Sequence, residues 1–256
     1  MINFIRNFLK KNERAYFVSA NLYHYYKNLW FHFICYFSGC VYFKPKSPSG
    51  KHKSQFGQCR ALEKLNLLVV KGVFVEVGSN HPVLNSNSFY LESEWKYSGI
   101  SIDPIDYSKL FKDLRPRTKF INAAVDPLKK SVVMNYIQDN IGWENQVSSI
   151  YNNILKHGRG FLSKKKKVKA LPLSKVCKNL NVIDLLLLDC EGHEIQVLKS
   201  LNWAKHHPKV ILTENSGEFY PRKDLKNYLI KKNYSLIARI GASDEIYVNI
   251  NQNLVK

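Results

Sequence analysis

The stretch IDLLLLDCEGHEIQVL, residues 183–198, decides the fold. Four consecutive leucines, Leu185 to Leu188, preceded by Ile183, read as a strand buried on both faces, because a strand with one wet face would alternate apolar and polar residues. The run then stops on Asp189, Glu191, His193 and Glu194. A core strand that delivers four ionisable groups to one end belongs in a sheet whose strand ends carry chemistry.

Working outward, VFVEVG (73–78) is a strand, FYLESEW (89–95) a helix, GISIDP (99–104) a strand and DYSKLFKDL (106–114) a short helix. KFINAAV (119–125) follows as a strand, an extra strand is expected at 132–138, and a helix near 173–180. Beyond the strand at 183–189 come a helix from about 193, the strand KVILTEN (209–215) and a helix at 222–232. This alternation predicts an α/β fold with a mostly parallel sheet wrapped by helices. The tail YSLIARIGASDEIYVNI (234–250) reads as an antiparallel hairpin at one edge.

In such a sheet ligands bind beyond the carboxyl ends of the strands. Those ends read EVGSNHP, IDP, NAAV, LDCEGHE and TEN, so five in succession bring small or polar residues to one rim. Gly78 allows a tight turn and the close approach of a ligand. The G-x-G-x-x-G spacing is absent, since positions 80 and 83 are Asn and Val, and no Walker lysine follows, which disfavours NAD and nucleoside triphosphates. Asp103 ends the second strand about 25 residues after Gly78, a place for a carboxylate that accepts hydrogen bonds from ribose hydroxyls. An acid there, with a looser glycine turn, fits S-adenosylmethionine, which has a ribose but no pyrophosphate.

The ordered pieces FVEVGSN, NSNSFYLESEW, GISIDP, INAAV, VKALPLSKV, IDLLLLDCEGHEIQVLKSLNW and PKVILTEN resemble the FkbM-type methyltransferases over roughly residues 65–250. The resemblance implies a Rossmann-like class I methyltransferase fold, a seven-stranded sheet with one antiparallel strand, and an S-adenosylmethionine-dependent enzyme that usually methylates a hydroxyl. Carried over position by position, Glu76, Gly78, Ser79 and Asn80 would face the methionine part, with Asn87, Ser88 and Asp189 nearby. Asp103 would take the ribose, and Asn122 and Ala123 would flank adenine. HPVLNSNSF after Asn80 departs from the Asp-Gly of many members.

Methyl transfer to an alcohol needs an aligned, desolvated acceptor and a group to take its proton. His193 at a helix start would stay neutral, as a base must, with Asp189 and Glu191 completing the catalytic set. Alternatively, Asp189, Glu191 and Glu214 would hold Mg²⁺, which would lower the acceptor's pKa. A third reading makes Glu191 and Glu194 caps of the following helix.

The chain has 39 Lys and Arg against 20 Asp and Glu, a net +19, which favours polyanionic partners. Residues 1–60, a basic helical segment and linker before a domain at 61–256, hold ten Lys and Arg and the single acid Glu13, hence +9. Ile2, Ile5, Phe8 and Leu9 form one apolar helical stripe, and Leu22, Tyr26, Leu29, Trp30, Phe33 and Phe37 another. These two amphipathic helices either pack on the domain or lie at an anionic membrane surface. KPKSPSGKHK (44–53) reads as a linker. No stretch approaches the roughly 20 apolar residues of a spanning helix, and five cysteines with no metal-ligand spacing predict a reduced, cytoplasmic chain, peripheral on the inner face of the membrane if the helices dock.

The segment from Asp139 to Lys167, with Trp143, Tyr151, His157, Arg159 and then KKKKVK, reads as a lid or acceptor loop. With the basic N-terminus it suits an anionic acceptor, so the expected reaction is O-methylation of a sugar in a cell-surface glycan or its lipid- or nucleotide-linked precursor. The alternatives are an RNA ribose methyltransferase, favoured by charge, and a membrane-docked cofactor-binding module without turnover.

Overall fold

The computed structural model describes residues 13–137, 163–217 and 220–252. The apolar stripe from Ile2 to Leu9, and Trp143, Tyr151, His157 and Arg159 of the expected acceptor loop, lie outside the described residues.

The described elements begin with α1 (Glu13–Ser38), β1 (Val41–Phe43), α2 (Gln58–Lys64), β2 (Val73–Val77), α3 (Phe89–Trp95) and β3 (Ser98–Asp103). They continue through α4 (Ser108–Leu114), β4 (Thr118–Asn122), β5 (Ala124–Val125), β6 (Ser131–Ile137), β7 (Ser163–Leu171) and α5 (Leu173–Val176). The last elements are β8 (Leu185–Leu188), α6 (Glu194–Lys199), β9 (Val210–Glu214), α7 (Arg222–Ile230), β10 (Tyr234–Ile240) and β11 (Asp244–Asn249).

The large sheet runs β1-β10-β11-β9-β8-β2-β3-β4, and only β11 is antiparallel to its neighbours. The leucine run is its centre, with Leu188 registered against Val77 on one side and Thr213 on the other. All four leucines are buried, and their alternation divides the core. Leu186 and Leu188 pack with Val75, Ile102, Val197 and Leu225 on one face, while Leu185 and Leu187 pack with Phe74, Leu62 and Leu91 on the other. A strand covered on both faces has no use for polar residues until it ends.

Three expectations need correction. The hairpin does not sit at the edge of seven strands: β11 lies inside the sheet, and β1 adds an eighth strand by pairing Val41–Phe43 with Ala238–Ile240. An uncovered β10 would present a row of open backbone donors and acceptors. The stretch at 44–53 is fastened rather than free. Lys46 N–H donates to the Phe56 carbonyl, Ser49 and His52 bond each other's backbone, and the His52 ring lies 4.4 Å from that of Tyr90.

The lysine run is the third. Lys164 to Lys167 belong to β7, which pairs antiparallel with β6 and parallel with β5 in a small second sheet. Lysine has weak strand preference, but Val168 and Ala170 are buried beside Val132 and Met134, and that packing overrides it.

α1 is a single helix across the second predicted stripe. That stripe does not pack on the domain: Leu22, Tyr26, Leu29, Trp30, Phe33 and Phe37 are all exposed, and Phe31 and Cys35 make the buried face instead.

Candidate active site

A cavity of about 390 Å³ opens at the carboxyl ends of the parallel strands. Its size is that of a small-molecule site. Of the residues singled out from sequence, Glu76, Gly78, Ser79, Asn80, Asn87, Asp103, Ala123, Asp189, Glu191, His193 and Glu214 line it. Ser88 and Asn122 are not among the described lining residues.

Gly78 has φ +80°, and a Cβ placed there would lie 1.7 Å from the Asp189 carbonyl oxygen. The glycine is therefore required first by the neighbouring strand end, which passes against it, whatever ligand approaches later. Gly78 N–H donates to the Ile102 carbonyl (2.9 Å) and Asp189 N–H to the Val77 carbonyl (3.0 Å), so three adjacent strand ends are tied together. Asn80 follows at φ +49°, and its N–H donates to Asp103 Oδ2 (2.8 Å), while Ile105 N–H donates to Asp103 Oδ1 (2.8 Å). Burial pushes the Asp103 carboxyl up to about 6 against those two bonds. Asn122 supports this corner from behind, its side-chain amide donating to the Asp103 carbonyl (3.1 Å).

Ser88 also works from behind the wall. Its hydroxyl donates to Glu76 Oε2 (2.6 Å) and accepts from Arg115 Nη2 (2.9 Å), and Ser101 donates to the same Glu76 oxygen (2.9 Å). Arg115 is buried and satisfied, with Nε on Glu92 (2.7 Å) and Nη1 on the Pro82 carbonyl (2.8 Å). Burial raises the Glu76 carboxyl, and Ser88, Arg115 and Ser101 oppose that rise. A buried cation one hydroxyl away from Glu76 gives no local sequence signal, since Arg115 lies 39 positions beyond it and reads as the end of a surface helix.

The loop after β8 answers why LDCEGHE is so polar. Glu191 and Gly192 take positive φ in succession, +49° and +97°, folding the chain back over the strand end. Glu194 Oε1 accepts from Cys190 N–H (2.9 Å) and Gly192 N–H (3.2 Å), and its Oε2 accepts from the Tyr220 hydroxyl (2.9 Å). Glu194 is thus used in building the loop rather than in capping the helix that follows, which has no side-chain cap at its start. His193 stands just before α6, buried at the cavity wall, with Nε2 3.2 Å from Asp126 Oδ2. Burial holds the imidazole below its ordinary pKa, against the pull of Asp126. Burial raises Asp126 too, but the backbone N–H groups of Lys129 and Leu128 outweigh it together with His193, and Asp126 stays below the usual carboxylate range.

The same cavity is strongly acidic. Burial, then Asp244, Glu194 and Glu76, push Asp189 up to about 8. Glu214 is pushed well up by burial and by Asp189 and Glu191, and burial takes Asp244 up to about 7 against hydrogen bonds from Ser243 and Gln58. Asp244 is the residue that strand-end reasoning missed. β11 runs antiparallel, so its first residue, not its last, reaches the rim, where Asp244 is registered against Glu214.

Glu76, Asp103, Asp189, Glu191, Glu214 and Asp244 line one cavity, and no Lys or Arg joins them among the described lining residues. Such a wall favours a cationic ligand over an anionic one. Ser79 Oγ, Asn87 Oδ1 and Glu214 Oε2 are buried without a hydrogen-bonding partner among the described residues, so residues of this wall retain capacity for a polar ligand. S-adenosylmethionine, with a sulfonium, an ammonium, ribose hydroxyls and an adenine, fits that chemistry. Among the described residues no group of three His, Cys, Asp or Glu side chains is arranged to hold a metal ion, the expected set Asp189, Glu191 and Glu214 included.

Residues 76–236 match the methyltransferase FkbM domain. No curated protein matches the chain. Among solved structures, a Plasmodium falciparum protein named as a ribosomal RNA methyltransferase is similar at 15% identity over 75% of this chain and 94% of its own, with a TM-score of 0.34, a likeness that carries no functional argument. The matched span runs from Glu76 on β2, through Asp103, Asp126 and the His193 loop, past Glu214 into β10. It covers more than half of the chain and most of the cavity wall, and the chain therefore belongs to the FkbM-domain family of methyltransferases.

Proposed function

We propose that the chain transfers the methyl group of S-adenosylmethionine to a hydroxyl of a sugar, in a cell-surface glycan or its lipid- or nucleotide-linked precursor. The observation that carries this reading is one cavity lined both by six carboxylates and by His193, whose ring is paired with the buried Asp126.

Bound S-adenosylmethionine would supply an activated methyl group on a positively charged sulfur. Asp103 would hold the ribose, Ala123 and Ile102 the adenine, and Glu76, Asp189, Glu214 and Asp244 the cationic end. The chain's own contribution to the reaction is then at the acceptor. Asp126 Oδ2 stands against His193 Nε2 and orients the imidazole at the cavity wall. Burial keeps the ring neutral near pH 7, so it is ready to take the acceptor's hydroxyl proton as the oxygen–methyl bond forms. The resulting imidazolium is stabilised by the Asp126 carboxylate, the role of the acid in a hydrolase triad. The buried wall excludes water that would compete for the methyl group.

A phosphate-bearing acceptor is supported by the β6–β7 ribbon. Residues directly opposite in an antiparallel pair share a face. Lys166 is opposite Met134, which lines the cavity, and Lys164 is opposite Tyr136. Lys166 also acts on Asp106, next to the lining residue Ile105. Exposed lysines on the strand pair that supplies Met134 to the cavity suit an acceptor that carries an anionic group beside the hydroxyl to be methylated.

Calorimetry of the purified chain with S-adenosylmethionine should show binding, and Asp103→Ala should weaken it by about 1 to 3 kcal/mol. Mass spectrometry of glycans from cells with and without the chain should differ by one methyl group. Absence of binding would refute the cofactor assignment, and a methyl group gained by RNA instead would transfer the reaction to the other acceptor class.

A further inference from the structure

We infer that α1 is a docking surface for an anionic lipid bilayer, on which the helix lies lengthwise. Its outward stripe, Leu22, Tyr26, Leu29, Trp30, Phe33 and Phe37, is between 46% and 71% exposed and recurs at helical spacing. The patch is continuous, since the Trp30 and Phe33 ring centroids are 6.2 Å apart and those of Phe33 and Phe37 are 4.6 Å apart. A soluble surface rarely carries so large an apolar patch without something to cover it.

The helix is presented rigidly. On its inward face the Phe31 ring lies under two guanidinium groups, Arg222 at 4.4 Å and Arg239 at 5.1 Å, and the Tyr42 hydroxyl donates to Asn28 Oδ1 (3.0 Å). Arg222 also donates to the carbonyls of Ser216 and Ala242. Each of these is two residues from a carboxylate of the cavity, Glu214 or Asp244, so the helix is braced on the rim of the site itself.

Charge selects the occupant. α1 carries Arg14 and Lys27 against Glu13, and the stretch that follows it up to Leu62 adds Lys44, Lys46, Lys51, Lys53 and Arg60 with no acid. A second copy of the chain would bring the same charge against this face, whereas anionic head groups would neutralise it. Trp, Tyr and Phe beside basic residues are the composition of an interfacial helix, with rings at the head-group level. Among the described residues no helix is long and apolar enough to cross a membrane, which agrees with a helix lying along the surface.

The test uses the full-length chain and sedimentation with vesicles of phosphatidylcholine alone or mixed with phosphatidylglycerol. Sedimentation with the anionic vesicles at low salt, and release as salt is raised, is expected. The triple variant Trp30→Ser, Phe33→Ser, Phe37→Ser should lose at least about tenfold in vesicle partition, since three ring side chains leave the interface, and should bind S-adenosylmethionine as the parent chain does. Deleting residues 1–44 is a poorer test, because it removes β1 and bares β10. Failure of the parent chain to bind anionic vesicles, or equal binding by the variant, overturns the inference. So does a dimer in solution that the triple substitution dissociates, which would give the stripe to a second copy.

Discussion

The cavity and the N-terminal quarter of the chain are chemical opposites. The cavity gathers six carboxylates with no Lys or Arg among its described lining residues, while residues 1–60 hold ten Lys and Arg and one acid. A net charge of +19 thus describes what the exterior meets and says nothing of what the site binds. Burial matters as much as sign. Glu76, Asp103, Asp189, Glu214 and Asp244 are desolvated and drawn toward their protonated forms, ready to be recharged by a cationic ligand, whereas exterior lysines are solvated and act only over the screening length of the salt.

The largest expected effect sharpens that contrast by testing the cavity alone. His193→Ala should lower turnover by about 100-fold to 10,000-fold with little change in cofactor affinity, because the imidazole acts on the acceptor. Asp126→Asn should reduce turnover in the same direction, and the pH profile of the parent enzyme should fall on the acid side as His193 becomes protonated. A fully active His193→Ala enzyme would leave the dyad a structural pair.

Two glycines break the comparison in another way, since both hold positive φ in unlike surroundings. A Cβ at Gly78 would strike the Asp189 carbonyl, but at Gly39, just after α1, it would meet nothing within 4 Å. Gly78→Ala should therefore destabilise the chain by roughly 2 kcal/mol or more, and Gly39→Ala by only about 1 kcal/mol, the strain of the backbone alone. Urea midpoints of the two variants decide the matter, and equal shifts would mean that the strand ends can part.

The smallest effect concerns stability against pH in the cofactor-free chain. The folded pKa of Asp189, about 8, lies above its ordinary value of 3.8. The folded state therefore keeps a proton that the unfolded chain releases, a contribution fully present below the lower value and lost as pH rises through the upper one. Melting temperature should fall as pH rises from about 4 to about 8 and fall less in Asp189→Asn. Identical pH slopes would show that the carboxylate is hydrated.

The sequence by itself determined the alternation of strand and helix, the buried leucine strand and the rim that collects EVGSN, IDP and LDCEGHE. These are local facts, because burial on both faces leaves a continuous apolar run and a parallel strand can turn polar only where it ends. The tertiary structure alone decided the partners. Asp126 meets His193 across 67 positions, Arg115 reaches Glu76 through Ser88, and Asp244 enters the site because an antiparallel strand brings its beginning to the rim. Likewise the periodicity of α1 announced an apolar stripe, but which stripe is buried was settled by two arginines that capture Phe31 and leave Trp30 and Phe33 outside. Such pairings depend on distances across the sheet, and spacing along the chain does not record them.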